Sequence, residues 1–136
     1  MIRFESRFDA YAYRMSFPVK NGVTVEEGQW VELDENSELV LATADSAKAF
    51  MAMGSNREGR DQIKGKAVKQ IAVLHGCYSV STDQVTGTLA PMDALKVGAG
   101  GKLVKATLPA DAAKVVATVL NQTTIGTKVF TKVVVG

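Results

Sequence analysis

The chain has 136 residues and a mass of 14.5 kDa, which is the size of one compact domain. Hydrophobic residues make up 46% of it and charged residues 22%, a balance typical of a globular protein with its own core. The formal net charge of +2 gives no general attraction to nucleic acid. Composition therefore excludes a disordered chain and argues against a nucleic-acid partner, but it names no function.

The single cysteine, Cys77, excludes an internal disulfide framework, so we expect synthesis in a reducing cytoplasm. Charged residues interrupt the first sixteen positions, which argues against the uncharged core of a secretory signal. No apolar run approaches the roughly 20 residues that a membrane-spanning helix needs, so we expect no membrane partner.

The amino-terminal segment, residues 1–22, is unusually aromatic and is predicted to act as an arm. Five of the nine aromatic residues fall within positions 1–17. The spacing of Phe4, Phe8, Tyr11 and Met15 fits one face of a helix ending near Pro18, whereas the aromatic density fits an extended strand, and both interpretations stay open. Because aromatics and arginine are enriched at protein interfaces, the arm is predicted to anchor the chain to a partner. The predicted interface residues are Phe4, Arg7, Phe8, Tyr11, Tyr13, Arg14 and Phe17.

From residue 23 to residue 136 the sequence predicts a single β-rich body. Short β-branched runs alternate with Gly, Asn, Asp and Ser, which is the pattern of strands and turns. One hairpin is predicted from Trp30–Leu33 and Glu38–Thr43, and a second from Leu95–Val97 and Lys102–Thr107. The last strands are predicted at Val115–Leu120 and Lys128–Val135. We expect this body to stay folded when residues 1–17 are removed.

The middle of the chain is predicted to hold a polar loop followed by one long strand. Residues 55–66 are almost entirely polar and are read as an exposed loop, in which Arg57 and Arg60 are candidate contact residues. Val68–Val85 is predicted to form a strand that bends or bulges at Gly76.

The two predicted hairpins resemble each other in sequence. Leu39–Thr43 matches Leu103–Thr107 at an offset of 64 residues, and Ala47-Lys48 matches Ala113-Lys114 at an offset of 66. This similarity predicts a structural repeat. The expected fold is mainly β, a small barrel or sandwich built of two similar hairpin-containing halves, with at most one or two short helices.

Candidate reactive residues are few. His75 and Cys77 lie two positions apart, as a nucleophile and its base would on one face of a strand, but cysteine is commonly a small buried hydrophobe and the chain has no second His or Cys for a zinc site. Residues 59–67 depart from a phosphate-binding loop, with Ala67 in place of the required hydroxyl. Residues 98–101 lie between two strands and are read as a turn. We therefore predict no catalytic residues, no metal and no cofactor.

The body from Val23 to Gly136 resembles the small β-barrel decoration, or cement, proteins of tailed-bacteriophage capsids. The similar segments are Gly22–Val31, Ala42–Ala47, and Ala94–Val97 followed by a glycine-rich turn. The resemblance implies a non-enzymatic protein that forms homotrimers on the outer capsid surface of the virion and contacts several copies of the major capsid protein.

Two other functions remain open from the sequence. One is another phage structural role, as a tail-tube or head-completion component. The other is a small β-barrel module that binds single-stranded nucleic acid through the aromatic and basic arm, where Arg3, Arg7 and Arg14 alternate with aromatic residues. Strong salt-dependent binding to single-stranded DNA would distinguish the second from a protein-binding role.

Overall fold

The computed structural model describes residues 2–4, 12–44, 46, 48–56, 62–63, 66–67 and 70–136, and for residues 3, 4, 12, 13, 62, 63, 66 and 67 it describes the backbone alone. Helix within this part of the chain is limited to two 3-10 turns, Ala99–Gly101 and Ala112–Lys114. The strands are β1 (Ile2–Phe4), β2 (Ala12–Pro18), β3 (Trp30–Leu33), β4 (Leu39–Leu41), β5 (Phe50–Ala52), β6 (Gln62–Ile63), β7 (Lys66–Ala67), β8 (Gln70–Gly76), β9 (Tyr78–Thr82), β10 (Ala94–Val97), β11 (Leu103–Lys105), β12 (Val115–Ile125) and β13 (Lys128–Val135).

The strands form two main antiparallel sheets. One has the order β2-β8-β5-β3-β4 and the other has the order β1-β9-β13-β12-β10-β11, while β6 and β7 pair separately. Without β1, the two orders become the same when β2, β3, β4, β5 and β8 are matched in turn to β9, β10, β11, β12 and β13. The first half of the chain therefore has the topology of the second, and the predicted mainly β fold of two similar halves is confirmed.

The repeat extends to individual residue pairs in the two hairpins. Val31 faces Leu41 in the first hairpin and Leu95 faces Lys105 in the second, each displaced by 64 residues. Just beyond each hairpin, the N–H of Ala42 donates to the carbonyl of Trp30 at 3.0 Å, and in the second half Ala106 donates to Ala94 at 2.8 Å. The sequence match that predicted the repeat therefore lies in truly equivalent hairpin strands.

Each half also curls so that the two edge strands of its five-strand order come together. Val19, directly after β2, makes a parallel bridge to Leu39 in β4, and Val85, shortly after β9, makes one to Leu103 in β11. These bridges join the opposite ends of each five-strand order and make each half barrel-like. An edge strand that is paired in this way offers fewer free backbone groups to other chains.

Two hydrophobic clusters fill the interior. The first-half cluster comprises Val19, Val25, Val31, Leu39, Ala52, Ile71 and Val73. The larger cluster combines the interior of the second half with side chains of the first half: Trp30, Ala42, Met51, Leu74, Tyr78, Val80, Leu95, Val97, Leu103, Ala117, Val119, Val133 and Val135. The two halves are thus held together by a shared core rather than by a surface contact.

The predicted long strand Val68–Val85 is two strands. β8 ends at Gly76 and β9 begins at Tyr78, and they belong to different sheets. The chain passes from one half to the other at this point. Gly76 has a φ of 119° here, a conformation that residues with a side chain rarely adopt. The sequence located the irregularity correctly, but the prediction of one strand was wrong.

The amino-terminal segment is extended wherever the structure describes it. β1 pairs with β9, from Ile2 with Thr82 to Phe4 with Val80, and β2 pairs with β8 along all seven of its residues. Because β2 contributes a complete strand to the first half, its loss would leave β8 paired with β5 alone in this sheet. The expectation that the body stays folded without residues 1–17 is therefore revised.

Candidate interaction surface

The longest hairpin of the chain extends beyond the barrel-like part of the second half. β12 has 11 residues and β13 has 8, joined by Gly126 and Thr127. Gly126 has a φ of 64° at the first position of this two-residue turn, where tight hairpin turns favour glycine. The register shifts between Val119 and Asn121, which marks a β-bulge at the point where the hairpin leaves the core.

Gln122 fixes the base of this hairpin. Its side-chain oxygen accepts a hydrogen bond from the N–H of Leu89 at 3.1 Å, and its side-chain nitrogen donates to the Thr131 hydroxyl at 3.0 Å. Thr131 is buried, so this contact ties the hairpin to the interior. Beyond Gln122 the two strands pair only with each other among the described residues, so the tip is a two-stranded projection from the sheet.

The tip carries exposed apolar side chains on both of its faces. Ile125 is 61% exposed and Val129 is 48% exposed. Ile125 pairs with Lys128, whereas Val129 pairs with Thr124 one position along, so the two apolar side chains point to opposite faces. We define these residues, with the bulge residue Leu120, as the hairpin tip surface.

Charge is sparse on this hairpin. Residues 115–136 contain no carboxylate side chain and only two cationic side chains, those of Lys128 and Lys132. Lys128 Nζ lies 3.6 Å from Asp83 Oδ2, so its charge is partly balanced within the chain. Depletion of charge with exposed apolar side chains is the composition found at the centre of protein interfaces.

A shallow cavity of about 280 Å³ lies where the two halves meet. Its lining includes Trp30, Leu74, His75, Cys77, Tyr78 and Val135. Burial raises the pKa of the Tyr78 hydroxyl well above its usual range, so this group stays protonated at neutral pH. The cavity is mostly apolar and opens to solvent.

The structure does bring His75 and Cys77 together at this cavity. Both are exposed, and the His75 ring packs edge-on against Phe50 with ring centroids 5.5 Å apart. Among the side chains that the structure describes, no group of three or more His, Cys, Asp and Glu residues is placed to hold a metal ion. His75 therefore packs within the first half, and Cys77 is exposed rather than the buried hydrophobe that its residue type suggests.

Only some of the predicted interface residues are described. Arg14 is exposed on β2, whereas Phe17 is half-buried and packs against the first-half cluster. Phe4 and Tyr13 are described by their backbones, in β1 and β2. Arg7, Phe8, Tyr11, Arg57 and Arg60 lie outside the described residues. The role of the amino-terminal segment as an anchor thus stays a prediction, with Phe17 placed mainly in the chain's own core.

Sequence reasoning missed the hairpin tip surface. One signal in the sequence could have revealed it. The uncharged run from Val115 to Thr127 is much longer than the equivalent strand of the first half, β5, which has three residues. The region predicted as an exposed loop, 55–66, contains the short strand β6 and reaches the first residue of β7. The pair β6 and β7 therefore lies between β5 and β8 in the order of the chain.

Comparison of this chain with protein-family models, with curated proteins and with solved structures found no match. In the part of the chain that the structure describes, no helix is long and apolar enough to cross a membrane.

Proposed function

We propose that this chain is a non-enzymatic decoration, or cement, protein that binds the outer surface of a tailed-phage head as an oligomer and stabilises contacts between major capsid subunits. In this proposal it is made in the host cytoplasm, assembles as a homotrimer and uses no cofactor. The sequence segments that resemble capsid decoration proteins suggest this role. The observation that carries it is the hairpin tip surface, a charge-poor projection with apolar side chains exposed on both faces.

A cement protein needs a scaffold that keeps its shape while its contacts are pulled apart. The shared core joins the two halves through Trp30, Met51 and Leu74, all of which are almost fully buried. A projection fixed to such a scaffold transmits force between the shell subunits it touches. Several copies in one oligomer would then bind at high effective concentration, so modest single contacts are multiplied by factors of about 10² to 10⁴.

The test is binding of the full chain to expanded phage heads that lack it, measured by co-sedimentation. The double variant Ile125→Asp/Val129→Asp is expected to weaken binding at least tenfold, because each carboxylate would have to be buried against the shell. Leu108→Asp is the matched control, since Leu108 is 59% exposed and lies outside the hairpin. It is expected to bind as the unmodified chain does.

Two results would overturn the proposal. One is failure of the unmodified chain to sediment with heads at any concentration tested. The other is strong binding to single-stranded DNA that falls steeply with added salt, which would favour the nucleic-acid module instead.

Heads that carry the chain are also expected to survive heating to a higher temperature than bare heads, and equal survival would contradict a cementing role.

A further inference from the structure

Inside the chain, the two halves meet through two different kinds of surface. The first half contributes its outer face, Trp30, Met51 and Leu74. Each has a chain neighbour that points into the first-half cluster, so these three side chains point outward from that half. The second half contributes one end of its own interior: Val80, Val97, Ala117 and Val135. We call these surfaces the outer face and the interior end.

Because the halves repeat, each of these surfaces has a second, equivalent copy. The pairing registers place Ala94, Thr118 and Val134 on the outer face of the second half. The same registers place four residues at the interior end of the first half: Met15, Leu33, Phe50 and His75. Each half therefore has one of its two surfaces buried in the contact within the chain, and the other surface left over.

The surfaces left over are accessible and mainly apolar. Val134 is 41% exposed, and Met15 and Leu33 are each 36% exposed. By contrast, the equivalents that are used within the chain, Leu74, Val80 and Val97, are at most 2% exposed. The difference is what one expects when one copy of a repeated contact is made and the other is open.

The two copies of the contact differ in which surface carries the large side chains. Within the chain, large outer-face residues such as Trp30 share one core cluster with small interior-end residues such as Ala117. In the unused copy the outer face is small, with Ala94 in place of Trp30, and the interior end is large, with Phe50 in place of Ala117. In both copies, a surface with large side chains would face a surface with small ones, so the summed side-chain volume at the contact is similar.

We propose that the outer face of the second half binds the interior end of the first half of another copy of this chain. Such a contact is head-to-tail, and it produces a closed ring when the rotation between copies closes and a filament when it does not. A ring of three chains would contain six similar halves around one axis. The inference deepens the proposed function by naming the two surfaces through which copies of the chain meet, and it rests on that function only for the expected number of three chains. Because self-association is measured with no phage head present, head binding and the contact between copies can each fail alone.

One feature makes the contact between copies looser than the contact within the chain. The turn residue Gly101 approaches the Trp30 backbone so closely that an added Cβ would collide with the Trp30 carbonyl oxygen. Its equivalent, Ser37, already has a Cβ, so the turn of a second copy has to lie farther from Ala94. We therefore expect reversible, concentration-dependent assembly.

The experiment is light scattering after size exclusion, over a range of protein concentrations. The unmodified chain is expected to give a mass of about three times the 14.5 kDa of one chain for a closed ring, or larger masses for a filament. Val134→Asp and Leu33→Asp, each made alone, are expected to raise the concentration needed for assembly at least tenfold. Leu108→Asp is the matched control, because Leu108 is 59% exposed and belongs to neither the outer face nor the interior end.

Mixing the two single variants separates a head-to-tail contact from a symmetric one. The Val134→Asp chain keeps an intact interior end and the Leu33→Asp chain keeps an intact outer face, so a two-chain complex is expected in the mixture but no larger species. A monomeric wild type at its highest soluble concentration would overturn the inference, as would a mixture that forms no complex. Met15→Glu provides a second interior-end variant, and equal unfolding midpoints for all variants show that assembly rather than folding was changed.

Discussion

Gly28 and Met92 hold the same position in the two halves of the molecule. Both have a positive φ, 92° and 73°, and each donates its backbone N–H to the matching strand, Gly28 to the Ala52 carbonyl at 2.9 Å and Met92 to the Val119 carbonyl at 2.8 Å. The backbone path is thus repeated even where a methionine replaces a glycine. A left-handed conformation strains a residue that has a side chain, and Met92 bears that strain at the surface.

Substitution of Met92 tests this repeated conformation. The side chain is 77% exposed, so Met92→Gly loses little burial and relieves the strain, while glycine's greater freedom in the unfolded chain offsets part of the gain. We expect the free energy of unfolding to change by less than about 0.5 kcal/mol or to rise, whereas Met92→Val should lower it by about 1 kcal/mol because a β-branched residue fits a positive φ poorly. Urea unfolding measures both, and a Met92→Val chain as stable as wild type would contradict the assignment.

The two equivalent turn residues Gly101 and Ser37 should respond very differently to substitution. Both have a positive φ, but a Cβ at Gly101 would meet the Trp30 backbone, which cannot move aside as a flexible side chain can. Gly101→Ala is expected to lower the free energy of unfolding by about 2 kcal/mol or more. Ser37→Ala, at an exposed position, is expected to change it by less than about 0.5 kcal/mol. Similar effects from the two substitutions, in thermal or urea unfolding, would show that the close approach is absent.

Leu74 and Val134 are equivalent residues of which only one is covered. Leu74→Ala is expected to lower the free energy of unfolding by about 2–5 kcal/mol, because Leu74 lies in the shared core. Val134→Ala is expected to lower it by less than about 1 kcal/mol in the isolated chain, because Val134 is partly exposed. Denaturant unfolding at low protein concentration, where copies are apart, makes the comparison. Equal losses would mean that the two outer faces are equally buried.

Stability should fall in acid partly through Asp111. The Lys96 ammonium, 2.8 Å from Asp111 Oδ2, lowers the pKa of this carboxyl, and the Thr107 N–H acts in the same direction. A carboxyl whose pKa is lower in the folded chain stabilises the fold above its unfolded pKa of about 3.9, and that contribution is lost as pH falls through the folded pKa.

Asp111→Asn should therefore flatten the dependence of the urea midpoint on pH below about pH 4. The variant should also be less stable than wild type at neutral pH, since Lys96 loses its partner. An unchanged pH profile in the variant would show that Asp111 contributes nothing to acid unfolding.

Truncation at the amino terminus should have two distinct outcomes. Removal of residues 1–11 takes away β1, which pairs with β9 along three residues, and it leaves β2 in place. Removal of residues 1–18 also takes away β2 and uncovers β8 in the first half. We expect the shorter deletion to leave a cooperative thermal transition in circular dichroism and the longer deletion to abolish it. A cooperative transition after the longer deletion would contradict the placement of β2.

Local pattern was enough to predict the hairpins. Trp30–Leu33 and Leu95–Val97 are short β-branched or apolar runs bounded by turn residues, and both form hairpin strands as expected. The match of Leu39–Thr43 with Leu103–Thr107 also predicted the repeat, because equivalent strands need the same alternation of buried and exposed residues. The amino-terminal segment was harder, since the spacing of its aromatic residues fitted a helix while their density fitted a strand, and the partner strand β8 lies far along the chain.

The sequence alone determined the strand-rich class, the two hairpins and the doubling of the chain, because each of these depends on neighbours a few residues away or on similarity that can be read directly. The tertiary structure alone decided which outward-facing side chains are covered. Trp30 and Met51 occupy positions that alternation would assign to solvent, and they are buried because the second half of the chain lies over them. Val134 occupies the position equivalent to Leu74 and stays partly exposed, because neither of the two halves lies over it.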